Sequence, residues 1–119
     1  MRPEDRDAAY LWDMLEAAKE VQGMLEGRDL ATFLADRVLL RAIERGVEIL
    51  GEAARLVSAA YKDAHPEVPW RLIIGQRNIL AHEYGQIDHE LLYKTAAEDI
   101  PVLIVLLQAL LPPLDQGKA

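Results

Sequence analysis

Trp70-Arg-Leu-Ile-Ile-Gly-Gln-Arg77-Asn78-Ile-Leu-Ala-His82-Glu-Tyr84-Gly-Gln-Ile-Asp88 is the stretch from which the rest of the chain can be read. Pro69, just before it, suits the first position of a helix, where a missing amide donor costs nothing. Gly85 stands where a left-handed cap would end that helix. A helix is therefore predicted from Pro69 to about Tyr84, with Arg77, Asn78, His82 and Tyr84 close together on it. Its flanks are helical and largely apolar, which points to an all-α fold that presents this cluster.

Downstream, Asp88 is a good N-cap for a last helix reaching about Leu111, ahead of Pro112-Pro113. Pro101 lies inside it and predicts a kink. Ile100–Leu111 is apolar nearly all round, so it belongs either at the centre of a bundle or in an oligomer interface. It is too short to span a bilayer, which takes about 20 residues.

Upstream, His65-Pro-Glu-Val-Pro69 breaks the chain, because prolines do not sit in helix interiors. Before it a long helix is predicted from about Arg37 to Tyr61. At ~100° per residue its charges Arg37, Arg41, Glu44, Arg45, Glu48, Glu52 and Arg55 fall within about 100° of arc. They read as a solvated face of i,i+3 and i,i+4 pairs. The remaining arc carries Leu39, Ile43, Val47, Leu50, Ala53, Ala54 and Val57, with Gly46 and Gly51 on or beside it, and is wide enough for more than one neighbour. A first helix is expected from about Glu4 to Glu26, with a seam of Leu11, Met14, Ala18, Val21 and Leu25. Gly27 would stop it, and Asp29 would cap a short segment Leu30–Ala35. The architecture read from these elements is an up-and-down bundle of four to five helices with a Pro-kinked last helix. It forms one domain over residues 1–119, of which about 112–119 make a flexible tail.

The composition agrees. With 51% hydrophobic residues in 119, one core is affordable and two are not. No cysteine is present, which excludes disulfides, thiol catalysis and cysteine zinc sites. The charged N-terminus lacks a signal-peptide pattern, so a cytoplasmic protein without membrane association is expected. A formal charge of −7 removes any general electrostatic grip on nucleic acid. Yet Val68–His82 holds two arginines, a histidine and no acid, so a small local phosphate site is possible.

Arg offers a permanently charged fork suited to phosphate, and His exchanges a proton near neutral pH. Asn can orient a neighbour, and the Tyr hydroxyl can donate, accept or be modified. These groups suffice for RNA cleavage without a metal or cofactor. His82 would activate the ribose 2′-hydroxyl or protonate the leaving oxygen, and Arg77 would stabilise charge on phosphorus. Geometry resists this, since five residues on an α-helix place Arg77 and His82 about 140° and ~7.5 Å apart. Either the helix unwinds by His82, or Arg77 reaches round, or a second copy completes the site. The plain alternative is a helix terminus with charged residues near water and Tyr84 packed at its end. A carboxylate-bridged metal bundle is excluded, because that site needs Glu-x-x-His pairs and none precedes His65, His82 or His89.

Arg77-Asn-Ile-Leu-Ala-His82-Glu-Tyr84 resembles the signature of the HEPN superfamily, in particular its HepT-like branch with the added Tyr. Arg41–Ala54 resembles the family's long central helix, and Pro69-Trp70, Ile87-Asp88 and Ile100-Pro101 also fit. The resemblance runs from the first helix to Leu111. It implies a homodimer with two motifs facing each other across a cleft, and an endoribonuclease whose catalytic residues are Arg77 and His82. It also implies that Asn78 and Glu52 help to orient the site, Glu52 being equally a member of the charged face. The substrate would be RNA rather than DNA. The protein would be the toxin of a type VII-like toxin–antitoxin pair, neutralised when a minimal nucleotidyltransferase antitoxin of the MntA type adenylylates Tyr84. The alternative is a non-catalytic HEPN module that binds a nucleotidyltransferase or a nucleotide as a scaffold.

Overall fold

The computed structural model of the protein describes residues 3–82 and 87–111, with side chains from Asp5 onward. In chain order the elements are α1 (Pro3–Leu25), α2 (Leu30–Ala35), α3 (Arg37–Leu56), α4 (Ala59–Ala64), α5 (Trp70–His82), α6 (His89–Lys94), a π-helical turn (Thr95–Asp99) and α7 (Ile100–Leu110). No strand occurs among the described residues, and the fold is all-α, as the sequence predicts.

Local chemistry sets most of the boundaries. Gly27 takes φ 75, the left-handed conformation that ends α1. The carboxylate of Asp29 accepts from the Thr32 amide at 2.9 Å and starts α2. Asp36 does the same for Leu39 at 3.0 Å and starts α3. Asp88 accepts from Leu91 at 3.1 Å and starts α6. Each of these caps satisfies an amide that the helix itself leaves without a partner.

The core lies around α3, which packs on α1 along one side and on α5 along another. The predicted seam of α1 and the apolar arc of α3 and Val57 are all buried. Two glycines allow the close approaches. A Cβ on Gly46 would stand 2.5 Å from Cγ2 of Val21 on α1. A Cβ on Gly51 would overlap Cβ of Arg77 and lie 3.0 Å from the carbonyl of Ile73 on α5. Five residues apart on one helix, the two glycines point about 140° from each other. That is how α3 serves two neighbours at once. From the short α2, Phe33 is fully buried and meets the ring of Tyr93 at 5.5 Å.

Two expectations need correction, and a third takes a particular form. The long helix ends at Leu56 instead of Tyr61. The buried carboxylate of Asp7, from α1, accepts from the Ser58 amide at 2.8 Å and from its hydroxyl at 2.7 Å. Ser58 in turn accepts from the Tyr61 amide at 3.1 Å, capping α4 as a separate short helix that adds to the predicted set. Pro69 lies just before α5 instead of in its first position, and its carbonyl accepts from Ile73 at 3.1 Å. The kink expected at Pro101 takes the form of the π turn, closed by the Ile100 amide on the Thr95 carbonyl. Pro has no amide and its ring crowds the carbonyl four residues earlier; widening the preceding turn relieves both problems.

Along α7, Ile100, Leu103, Ile104 and Leu107 are buried, while Val102 and Val105 are 60% and 65% exposed. The helix is thus half covered.

Candidate active site

Residue 70 to residue 82 is one continuous α-helix, so the chain does not unwind between Arg77 and His82. Around the axis of α5 the side chains divide into three directions at ~100° per residue. Ile73 and Arg77 face α3. Leu72 and Gln76 face a groove towards α6 and α7, where the Gln76 amide donates to Oγ1 of Thr95 at 2.9 Å. Arg71, Gly75, Asn78 and His82 point outward. Of the residues of α5, only Trp70 is buried, its Nε1 donating to the His65 carbonyl at 2.9 Å.

Arg77 is held on two sides. Its Nη2 lies 3.0 Å from Oε1 of Glu52 on α3, and its Nη1 donates to Oδ1 of Asn78 at 3.0 Å. Its Nε is buried with no hydrogen-bond partner. Such an orphaned donor costs about 1–3 kcal/mol. The missing Cβ of Gly51 makes room for the stem of Arg77. Because guanidinium only donates, the Asn78 carbonyl must face it, and the Asn78 NH2 group is left with two donors turned away.

Glu52 is shared. Arg55 donates to it from Nη2 at 2.8 Å and from Nε at 3.2 Å, beside the contact with Arg77. The hydrogen bond from Arg55, with the charges of Arg55 and Arg77 behind it, holds the Glu52 carboxyl below the ordinary glutamate range against some desolvation. The charged face of α3 is therefore more than a solvated stripe. The pairs Arg41–Glu44, Arg45–Glu48 and Arg55–Glu52 do form. Glu52 also reaches α5, and Glu44 reaches His89 on α6 at 3.1 Å.

On its α3 side Arg77 borders a cleft of about 400 Å³ between α1, α3 and α5. Asp13, Glu16, Glu20, Glu48 and Glu52 line it against Arg45 and Arg77. The α1 acids were not legible as site residues. In sequence, Asp13, Glu16 and Glu20 look like any exposed helix face, and only the packing of α1 on α3 sets them along the cleft that Arg77 borders. Among the described residues, no group of three or more His, Asp or Glu side chains is arranged to hold a metal ion. No described helix is long and apolar enough to cross a membrane.

Of the residues singled out in the sequence, the fold brings together Arg77, Asn78 and Glu52. It leaves His82 exposed in the last turn of α5, on the Asn78 side and away from Arg77. Tyr84 and Gly85 lie outside the described residues.

Comparison of the sequence with known proteins matches the chain to a family. The family model described as ribonuclease HepT-like matches residues 14–110. A protein of Methanocaldococcus jannaschii named "Putative RNase MJ1380" is 39% identical over 93 residues, covering 78% of this chain and 85% of the relative. A protein of Thermococcus cleftensis named "Probable ribonuclease HepT" is 37% identical over 94 residues, 79% of this chain and 86% of the relative. No solved structure matches the chain. With a six-residue Arg77–His82 core on one helix and a family match that spans the bundle, the chain belongs to the HepT-like ribonucleases of the HEPN superfamily.

Proposed function

We propose that the protein is a metal-independent endoribonuclease that acts as a homodimer, with Arg77 and His82 as its catalytic residues. One observation carries the reading: Arg77 is fixed at a cleft wall by Glu52 and Asn78 while one of its donors stays buried and unmet. An arginine kept only for stability would be a poor choice there, because a single orphaned donor cancels most of what an exposed ion pair contributes. In the reaction His82 takes the proton of a ribose 2′-hydroxyl. That oxygen then bonds to phosphorus as the bond to the 5′-oxygen breaks, and the 5′-oxygen leaves with a proton taken from solvent water. Arg77 meets the added charge on the phosphoryl oxygens. Since α5 keeps Arg77 and His82 on different sides of one chain, a second copy completes the site.

The names of the family and its relatives support a ribonuclease; we propose further that it is the toxin of a toxin–antitoxin pair, in which a nucleotidyltransferase partner adenylylates Tyr84. An adenylate two residues beyond His82 would bring a phosphate that competes for Arg77. A second reading, a non-catalytic module that binds the nucleotidyltransferase, draws on the five carboxylates around the cleft. The test is incubation of unmodified protein with total RNA in EDTA, beside Arg77→Ala and His82→Ala. Cleavage by the wild type, with each variant slower by about 10²-fold, is the expected result. Wild-type rates from either variant, folded and dimeric, would sink the assignment. For Tyr84, intact mass after co-expression with the partner should show one or more adenylates on the Tyr84 peptide and none in Tyr84→Phe.

A further inference from the structure

The cleft beside Arg77 is a poor entrance for RNA, since five carboxylates face two arginines there, and both arginines are already paired, Arg45 with Glu48 and Arg77 with Glu52. The opposite side of α5 has the other sign. A second groove runs between α4 and α5, with Lys62, Arg71 and Asn78 along it and Asp63 as its one carboxylate. Arg71 is exposed and makes no ion pair among the described residues. Gly75 sits at the middle of this groove, and a Cβ placed on it would meet nothing within 4 Å. The helix backbone is therefore open to close approach at that point. Arg71, Gly75, Asn78 and His82 follow one another at spacings of four, three and four along a single face, so the groove ends at Asn78 one turn short of His82 on the same side of the helix. From Arg71 to His82 is about 16 Å of helix, a span of a few nucleotides.

We propose that the groove between α4 and α5 is where a single strand of RNA lies on its way to the scissile phosphate. Arg71 and Lys62 neutralise its backbone phosphates, and the free NH2 group of Asn78 donates to the phosphate nearest His82. Asn78 joins the two sides of α5. Its carbonyl holds Arg77 from the α3 side, and its amide group faces the strand. The inference rests on the ribonuclease reading above and adds the path and the phosphate contacts.

A fluorescent, 2′-O-methylated RNA octamer serves as the probe, because it lacks the hydroxyl that cleavage needs. Its binding is measured by anisotropy across a salt series with the full-length protein. Losing one phosphate contact on a single strand lowers the slope of log K against log salt by about 0.7, which is about fivefold in affinity at 0.1 M salt. Arg71→Gln is expected to show that change and the pair Arg71→Gln, Lys62→Gln about twice the slope change. Asp63→Asn should tighten binding, an outcome that damaged folding cannot imitate. Arg37→Gln removes the same charge at the far end of α3 and should leave slope and affinity unchanged. Wild-type binding matched by Arg71→Gln would overturn the groove while leaving the ribonuclease reading intact. So would an equal effect from Arg37→Gln, or weaker binding that sedimentation traces to a lost dimer. A wild type that neither binds the octamer nor cleaves unmodified RNA overturns the ribonuclease reading, and this inference with it.

Discussion

At the scale of single residues the site depends on Gly51 and Glu52, neighbours on α3 that act on Arg77 in different ways. Gly51 contributes by what it lacks. In Gly51→Ala the new methyl group meets the Arg77 stem and the Ile73 backbone, and backbone cannot swing aside as a side chain can. Separation of α3 from α5 should cost about 1–3 kcal/mol, seen as a lower urea midpoint, and should reduce RNA cleavage in the same protein. Glu52 contributes charge. Its carboxyl titrates below the ordinary glutamate value of 4.5, first through the hydrogen bond from Arg55. A depressed folded-state pKa gives stability that is complete above the unfolded value. That stability is lost as pH falls below 4.5 and through the folded value. Glu52→Gln should therefore differ from wild type by a constant amount above this window and converge on it below, in urea melts across pH. A gap that persists unchanged into acid would show that the charge of Glu52, shared between Arg55 and Arg77, does not stabilise the fold.

At the scale of elements, the end of α3 is set from outside the helix. Leu56-Val57-Ser58 carries no proline or glycine, and the apolar period runs on through Val57. The break comes from Asp7, whose carboxylate takes both the amide and the hydroxyl of Ser58. Removing it in Asp7→Ala leaves a part-buried amide without a partner and loosens the α4 cap. The expected loss is about 2 kcal/mol. A double-mutant cycle with Ser58→Ala should show strong coupling, since the two residues share the interaction. Independent, additive effects would mean that the break has another cause. The π turn before α7 has a legible origin by contrast. Pro101 announces a distortion, and the sequence leaves open only which form it takes.

At the scale of the whole molecule, the apolar surface is not closed. Leu72 is 73% exposed, Val102 60% and Leu91 54%. Leu72, Leu91 and Val102 border one groove of about 390 Å³ between α5 and the α6–α7 arm. Leu72 stands next to Arg71 on α5, so a second copy seated on this groove would bring its own motif helix beside the RNA path. Leu72→Glu together with Val102→Glu should convert a dimer to a monomer in sedimentation velocity, with helical content kept and RNA cleavage lost. A wild type that sediments as a monomer at micromolar concentration would remove the composite site from the reading.

What the sequence determined by itself is what short-range physics controls. Gly27, Asp29 and Asp88 set helix ends through bonds spanning three or four residues. The 3-4 spacing of apolar residues marked which faces of α1 and α3 would be buried, and eight residues around Arg77 and His82 pointed to the family. Tertiary structure alone decided the rest. It ended α3 through a carboxylate 51 residues away. It decided between the two sequence readings of Glu52, site residue or one charge in a stripe, by pairing it with Arg77. It also lined the cleft that Arg77 borders with α1 acids while leaving Lys62 and Arg71 on the other side of α5. The reason is common to all three. Periodicity records that a side chain lies on a given face, and a charged face reads the same whether it meets water or another helix. Only the packing of α1, α3 and α5 fixes what that face meets.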